Sequence, residues 1–183
     1  MSSTKREQAT LVIFGATGNL SKIKLMPALY LLDKAGQLHP ETKILATGRR
    51  DWNKAKCIAE TQNWVESSAG ERFDADVFER FALRLDYFKV DYSEPDIWSS
   101  LKNYLESEIS SARLSSNIAF YMAIRPAEFG LVIEGLGECD LLQETENWRR
   151  VVIEKPFGYD LSSARVLQAS ISRYLTEHQI YRI

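Results

Sequence analysis

Short apolar runs rich in Leu, Val, Ile, Phe and Tyr recur at residues 11–14, 44–47, 87–90, 118–123, 151–154 and 180–183. Each is bounded by polar or turn-forming residues, which predicts six β-strands. Between them the apolar positions fall at helical spacing, predicting helices over residues 22–34, 53–68, 74–85, 95–112, 127–138 and 162–178. Crossovers of this length suit parallel neighbours, so the alternation predicts an α/β fold: a doubly wound, mostly parallel Rossmann-like sheet with helices on both faces. Gly36 follows the first helix where a left-handed cap is expected, and Ser93 and Asp160 are the expected N-caps of later helices. Residues 1–9 read as a flexible tail and residues 10–183 as one Rossmann-like domain, with no internal repeat and no linker.

The first strand runs into Gly15-Ala16-Thr17-Gly18-Asn19-Leu20 and then Ser21, at the start of a helix. Glycines let the backbone turn sharply and approach a pyrophosphate closely, while the free amides of the helix start attract an anion. A glycine turn after a strand also serves other folds, and Ser21 stands where a dinucleotide fingerprint has its third glycine. The second strand ends on Gly48 and delivers Arg49 and Arg50, where NAD-binding folds place a carboxylate for the ribose 2′-hydroxyl. Guanidinium groups there suit the 2′-phosphate of NADP instead, unless they form no more than a solvated turn.

Lys22 and Lys24 lie near the start of the first helix, where a cation opposes the helix dipole unless an anion is close. They read either as phosphate neighbours or as solvated lysines. Asp91, Tyr92 and Tyr121 end the third and fourth strands, on the rim where ligands bind in such sheets; packing is the alternative role for both tyrosines. Glu154 and Lys155 close the fifth apolar run just before Pro156. Lys155 is thereby aimed at the crevice as a compact cation for a cofactor or substrate oxygen.

Composition adds limits. A chain of 183 residues, 45% hydrophobic and 26% charged, can bury ~70% of its unfolded surface as one domain. Its net charge of -2 gives no field for non-specific nucleic-acid binding. Cys57 and Cys139 stand far apart without metal-ligand spacing, so no metal site is expected and a reducing, cytoplasmic setting fits. The polar start and the lack of any run of about 18 apolar residues predict neither export nor a membrane span.

Taken in order, Gly15-Ala16-Thr17-Gly18-Asn19-Leu20-Ser21 with Lys24 and Pro27-Ala28-Leu29, then Thr47-Gly48-Arg49-Arg50, Tyr121-Met122-Ala123, Glu154-Lys155-Pro156-Phe157-Gly158-Tyr159-Asp160-Leu161 and Glu177-His178-Gln179-Ile180-Tyr181-Arg182-Ile183 resemble the glucose-6-phosphate dehydrogenase family over nearly the whole chain. The resemblance implies NADP as cofactor, bound by Gly15, Thr17, Gly18, Leu20 and Arg49, with Asp91, Tyr92 and Tyr121 lining the pocket; Ala16, Asn19, Ser21 and Lys22, in the same turn and helix start, are counted with the cofactor-binding residues. It implies contact of Lys155 with both cofactor and substrate, a place for Lys24 near the substrate phosphate, and a cis bond at Pro156. For the full-length family member it implies glucose 6-phosphate as substrate, a role in the pentose phosphate pathway, and a homo-oligomer.

Three positions depart from the family pattern: Asn19 for aspartate, Ser21 for alanine, and Arg125 for a proline beside the cofactor pocket. The sequence stops at Ile183, one residue before the family's D-H-Y-L-G-K substrate motif, and so before the histidine that removes the sugar's anomeric proton. No catalytic residue is therefore expected here, since His39 and His178 match no catalytic position, and this chain is expected to be inactive alone. Two other readings stand at this point, a non-enzymatic NADP-binding sensor and an inert truncated fragment.

Overall fold

In the computed structural model, which describes residues 7–155, 168–169 and 171–183, all six apolar runs become strands of one sheet. They are β1 (Thr10–Phe14), β2 (Lys43–Gly48), β3 (Leu85–Lys89), β4 (Ile118–Met122), β5 (Arg149–Ile153) and β6 (Ile180–Arg182). Their order is β3-β2-β1-β4-β5-β6, and every neighbouring pair is parallel. The chain begins mid-sheet, winds outward to β3, crosses back to β4 and winds out the other way. That reversal opens a crevice at the carboxyl ends of β1 and β4.

Period-two alternation places successive strand residues in two cores. Val12 and Phe14 of β1 pack with Leu101 and Leu105 of α4 (Ile97–Ser110) and with Phe129 and Ile133 of α5 (Pro126–Glu138). Ile13 faces the opposite way, toward Tyr30 of α1 (Met26–Lys34), Val65 of α2 (Lys54–Ala69) and Phe81 of α3 (Ala75–Ala82). Strands buried on both faces explain the near-continuous apolar runs, and fully burying each Leu, Ile or Phe contributes about 1.5–3 kcal/mol. Helices thus cover both faces, as the doubly wound expectation required.

Several boundaries differ from the sequence reading, each for a local reason. The third helix ends at Ala82, short of residue 85, because Leu85 is the first residue of β3 and pairs with Ile44. Arg84, in the turn between them, is buried and folds back onto the buried Asp33 at 2.7 Å while donating to the carbonyls of His39, Pro40 and Thr42. The first helix starts at residue 19 and passes through a π-helical stretch, Ser21–Leu25, before α1. Gly36 adopts φ +63° and closes α1 as expected. Ser93 is not a helix N-cap: α4 begins after Asp96, and the Ser93 hydroxyl donates to Asp91 at 2.8 Å. The last expected helix is already over before residue 175, and His178 lies in a 3₁₀ turn, Glu177–Gln179.

Residues 7–9 of the expected tail are tied to the sheet: the Gln8 carbonyl accepts from Ser115, the Ala9 carbonyl from the Lys43 amide, and the Glu7 carboxylate from Trp148. Residues 1–6, the Lys155-Pro156 bond, Phe157 through Leu161 and the Asp160 cap lie outside the described residues.

Candidate functional site

The crevice predicted by the strand order is a cleft of ≈ 600 Å³, floored by the turn after β1 and walled by the ends of β2, β3 and β4. Gly15 makes the floor possible. Its φ of +77° is a region side chains rarely adopt, and a Cβ there would lie 2.2 Å from the Ala123 carbonyl oxygen beyond β4. Gly48 serves the neighbouring wall by space alone, since its Cβ would meet Thr17 Oγ1 at 2.9 Å.

The turn is fixed from beneath. The Ala16 amide donates to the Thr47 carbonyl at 2.8 Å, extending the ladder, and the Gly18 amide donates to the Gly15 carbonyl at 2.9 Å. The buried Ser21 hydroxyl donates to the same Gly15 oxygen at 3.3 Å. Helical geometry begins at Asn19, so the amides of Asn19 and Leu20 belong to a first turn with no intrahelical acceptor. They front the cleft with Gly15, Thr17 and Gly18.

Arg49 and Arg50 leave β2 exposed at the cleft. Their backbone is held by Tyr87, whose Oη lies 2.8 Å from the Gly48 carbonyl and 2.7 Å from that of Arg50. Burial pushes the Tyr87 hydroxyl up to about 12, so it stays a neutral donor at physiological pH. The Arg50 guanidinium sits 5.4 Å over the Trp52 ring, which leaves Arg49 as the more available cation. Opposite, Tyr92 stacks on Trp98 with ring centroids 5.7 Å apart, and burial raises its pKa above the ordinary phenol value.

Of the residues singled out from sequence, Gly15, Thr17, Gly18, Asn19, Leu20, Arg49 and Tyr92 come together in this cleft. Ala16 and Ser21 lie beneath it, buried and fixing the turn. Lys22 lines a separate hollow with Glu60 and Trp64, and Lys24 is exposed on the first helix. The π-helical stretch carries both lysines. Asp91 turns its carboxylate onto the Ser93 amide and hydroxyl, which hold its pKa below the usual carboxylate range. Tyr121 donates to Glu154 on the adjacent strand end; burial first and this bond second raise its pKa. Lys155 is exposed just past β5, its amide donating to the Ile183 carbonyl at 3.1 Å.

Ala123, at the end of the fourth apolar run, lines the cleft as its place on the rim predicts, and the cleft also holds residues the sequence reading did not place there: Val90, Ile124 and Glu128. Val90 follows from the carboxyl-end rule once strand ends are known. Glu128 sits in the first turn of α5, three residues after Arg125, a spacing that marks a helix-capping carboxylate. It accepts from the Arg125 amide at 3.1 Å and its guanidinium at 3.0 Å. The guanidinium bond chiefly, and Arg49 more weakly, keep the Glu128 carboxyl below its ordinary range. Among the described residues, no three His, Cys, Asp or Glu side chains are grouped to hold a metal, and no helix is long and apolar enough to cross a membrane.

A family model described as "Glucose-6-phosphate dehydrogenase, NAD binding domain" matches residues 12–183. The chain belongs to the glucose-6-phosphate dehydrogenase family. Glucose-6-phosphate 1-dehydrogenase from Dickeya dadantii is 36% identical over 184 residues, and that from Bacillus subtilis 34% identical over 183 residues; each match covers 100% of this chain and 36% of the relative. This chain therefore spans about a third of the length of these curated relatives. Among solved structures, the glucose-6-phosphate 1-dehydrogenase from Mycobacterium avium superposes with a TM-score of 0.82 at 32% identity, covering 96% of this chain and 35% of that one. A glucose-6-phosphate dehydrogenase in complex with its substrate glucose-6-phosphate gives 0.84 at 30% identity, covering 100% and 37%. The glucose-6-phosphate dehydrogenases are oxidoreductases of carbohydrate metabolism, and the matched part is the family's nicotinamide-dinucleotide domain.

Proposed function

We propose that this chain is the NADP-binding part of a glucose-6-phosphate dehydrogenase, whose whole reaction oxidises glucose 6-phosphate to the 6-phosphoglucono-lactone. The observation that carries the cofactor choice is Arg49, an exposed guanidinium at the end of β2 on the wall of the cleft. A 2′-phosphate accepts charge-assisted bonds from it, whereas NAD offers only a hydroxyl there. The glycine floor fits a pyrophosphate, because the Cβ that Gly15 lacks would collide with Ala123. Bound NADP supplies the hydride acceptor. Lys155, at the carboxyl end of β5, and Lys24 are assigned to the substrate's oxygens, and Lys155 also to the cofactor.

Proton removal from the sugar falls to a group outside these residues. His39 precedes β2 and His178 precedes β6, both at the amino ends of the strands, on the far side of the sheet from the cleft. His178 is moreover paired with Glu144 at 2.7 Å. A general base must reach its proton within about 3 Å, directly or through one water. The 183-residue chain mixed with NADP and glucose 6-phosphate is accordingly expected to form no NADPH above background, read by the absorbance of the reduced nicotinamide. Turnover at an ordinary dehydrogenase rate of ~10 s⁻¹ overturns this division of labour. Both cysteines are free thiols, which fits the reducing cytoplasm proposed for it.

A further inference from the structure

Arg49 and Arg50 line the cleft, but the group that ties their backbone lies behind its wall, on the neighbouring strand. Tyr87 is the third residue of β3, pairs with Ala46 of β2 and is 8% exposed. It is not one of the residues lining the cleft. Its ring belongs to the core that holds Ile44 and Ala46, 5.9 Å from the Trp52 ring, which in turn lies 6.1 Å from Trp64 of α2. These aromatic contacts fix where its hydroxyl can reach. The oxygen meets the Gly48 carbonyl at 2.8 Å and the Arg50 carbonyl at 2.7 Å.

The two carbonyls bracket the arginines, because the α-carbons of Arg49 and Arg50 both lie between the tethered peptide groups. Holding those planar groups at one point limits φ and ψ of both residues, and with them the directions in which the side chains leave the chain. Each carbonyl also has a backbone donor: the Val90 amide reaches Gly48 at 3.0 Å and the Trp52 amide reaches Arg50 at 2.9 Å. The phenol shares its single proton between them. Its removal orphans neither carbonyl, so what is lost is chiefly the tie between the end of β2 and the residue two beyond it. The exposed Lys89–Asp51 pair, at 3.8 Å in the same loop, does little to replace that tie.

A charge-assisted bond to a phosphate depends steeply on where the guanidinium sits, whereas pyrophosphate contacts made by the glycine floor do not pass through this loop. We propose that Tyr87 is a positioning residue for Arg49, which sets the preference of the cleft for a 2′-phosphorylated dinucleotide without touching it. This rests on the reading of Arg49 as the 2′-phosphate ligand. Tyr87 acts at one remove, through the backbone, so its effect is confined to the cofactor that carries the extra phosphate.

Tyr87→Phe keeps the ring and deletes the hydroxyl. In titrations of the 183-residue chain, the variant is expected to bind NADP about fivefold more weakly and NAD within about twofold of wild type. Tyr30→Phe is the control for a merely structural hydroxyl, since Tyr30 is fully buried in the same core and its Oη bonds the Asp74 amide at 2.9 Å and carbonyl at 3.2 Å. Its loss should lower the thermal midpoint and leave the NADP-to-NAD ratio unchanged; a shift in that ratio as large as that of Tyr87→Phe overturns the proposal. The decisive comparison is the Arg49→Ala background, where Tyr87→Phe should have no further effect on NADP affinity. A further loss there, or an equal loss for NADP and NAD in Tyr87→Phe alone, means that the hydroxyl supports the cleft as a whole, and overturns the proposal. The two readings fail separately. If the wild type binds NADP no more tightly than NAD, or Arg49→Ala keeps the wild-type preference, the assignment of Arg49 falls and this inference with it. If Arg49→Ala removes the preference and Tyr87→Phe does not lower it, only the inference falls.

Discussion

Replacing Gly15 with alanine is expected to lower the stability of this chain by about 3–5 kcal/mol and to abolish dinucleotide binding. Two costs add. The residue holds φ +77°, which an alanine reaches only with strain of about 1–2 kcal/mol. The larger cost is steric, because the new methyl would stand 2.2 Å from the Ala123 carbonyl oxygen and 2.9 Å from Ile124 Cγ2. A backbone carbonyl at the end of β4 cannot swing aside as a flexible side chain could. The turn must move instead, and with it the Ala16–Thr47 and Gly18–Gly15 bonds that shape the floor. In a domain of this size each kcal/mol is worth roughly 2–4 °C, so the thermal midpoint should fall by about 10 °C. Gly130 is the matched control: it lies inside α5 and a Cβ there meets nothing within 4 Å, so Gly130→Ala should be neutral or stabilising by up to ~1 kcal/mol. Equal melting of Gly15→Ala and wild type contradicts the close approach on which the cleft depends.

Arg49→Ala is expected to weaken NADP binding about 10- to 100-fold while leaving NAD within about twofold. The guanidinium stands at the end of β2, and the Tyr87 hydroxyl braces the carbonyls on either side of it, so it is aimed at the cleft by a rigid element. A phosphate dianion loses its main partner in this variant, whereas a ribose hydroxyl never had one. Arg50 offers limited compensation, because its guanidinium rests over Trp52. Parallel titrations of the variant with both cofactors check this. An equal loss for NADP and NAD contradicts it, since Arg49 would then act on the shared pyrophosphate.

The strand–helix alternation was legible because strands buried on both faces leave apolar runs such as Leu11 to Phe14, and both cores confirm it. The border between α3 and β3 was not. Phe78, Phe81 and Leu85 keep helical spacing straight through it, yet Leu85 belongs to the sheet. What stops the helix is the long-range tie of Arg84 to Asp33 and to three carbonyls before β2, which no local pattern announces. The cleft divides in the same way. Its floor, Arg49 and Tyr92 follow from glycine placement and strand ends, because a glycine turn and a carboxyl end of a strand mark the crevice in the sequence itself. Lys22 illustrates the limit: it is one turn from the glycine loop in sequence, but lines another hollow beside Glu60. Glu128 was missed for the opposite reason, since a glutamate in the first turn of a helix reads as a cap and not as a cleft wall.

The central proposal is that this cleft selects a phosphorylated dinucleotide through the cation at the end of β2. Side-by-side calorimetric titration of the wild-type chain with NADP and NAD tests it most directly. The expected result is saturable binding of NADP, at least about tenfold tighter than NAD. Equal affinities for the two, or tighter binding of NAD, would contradict it.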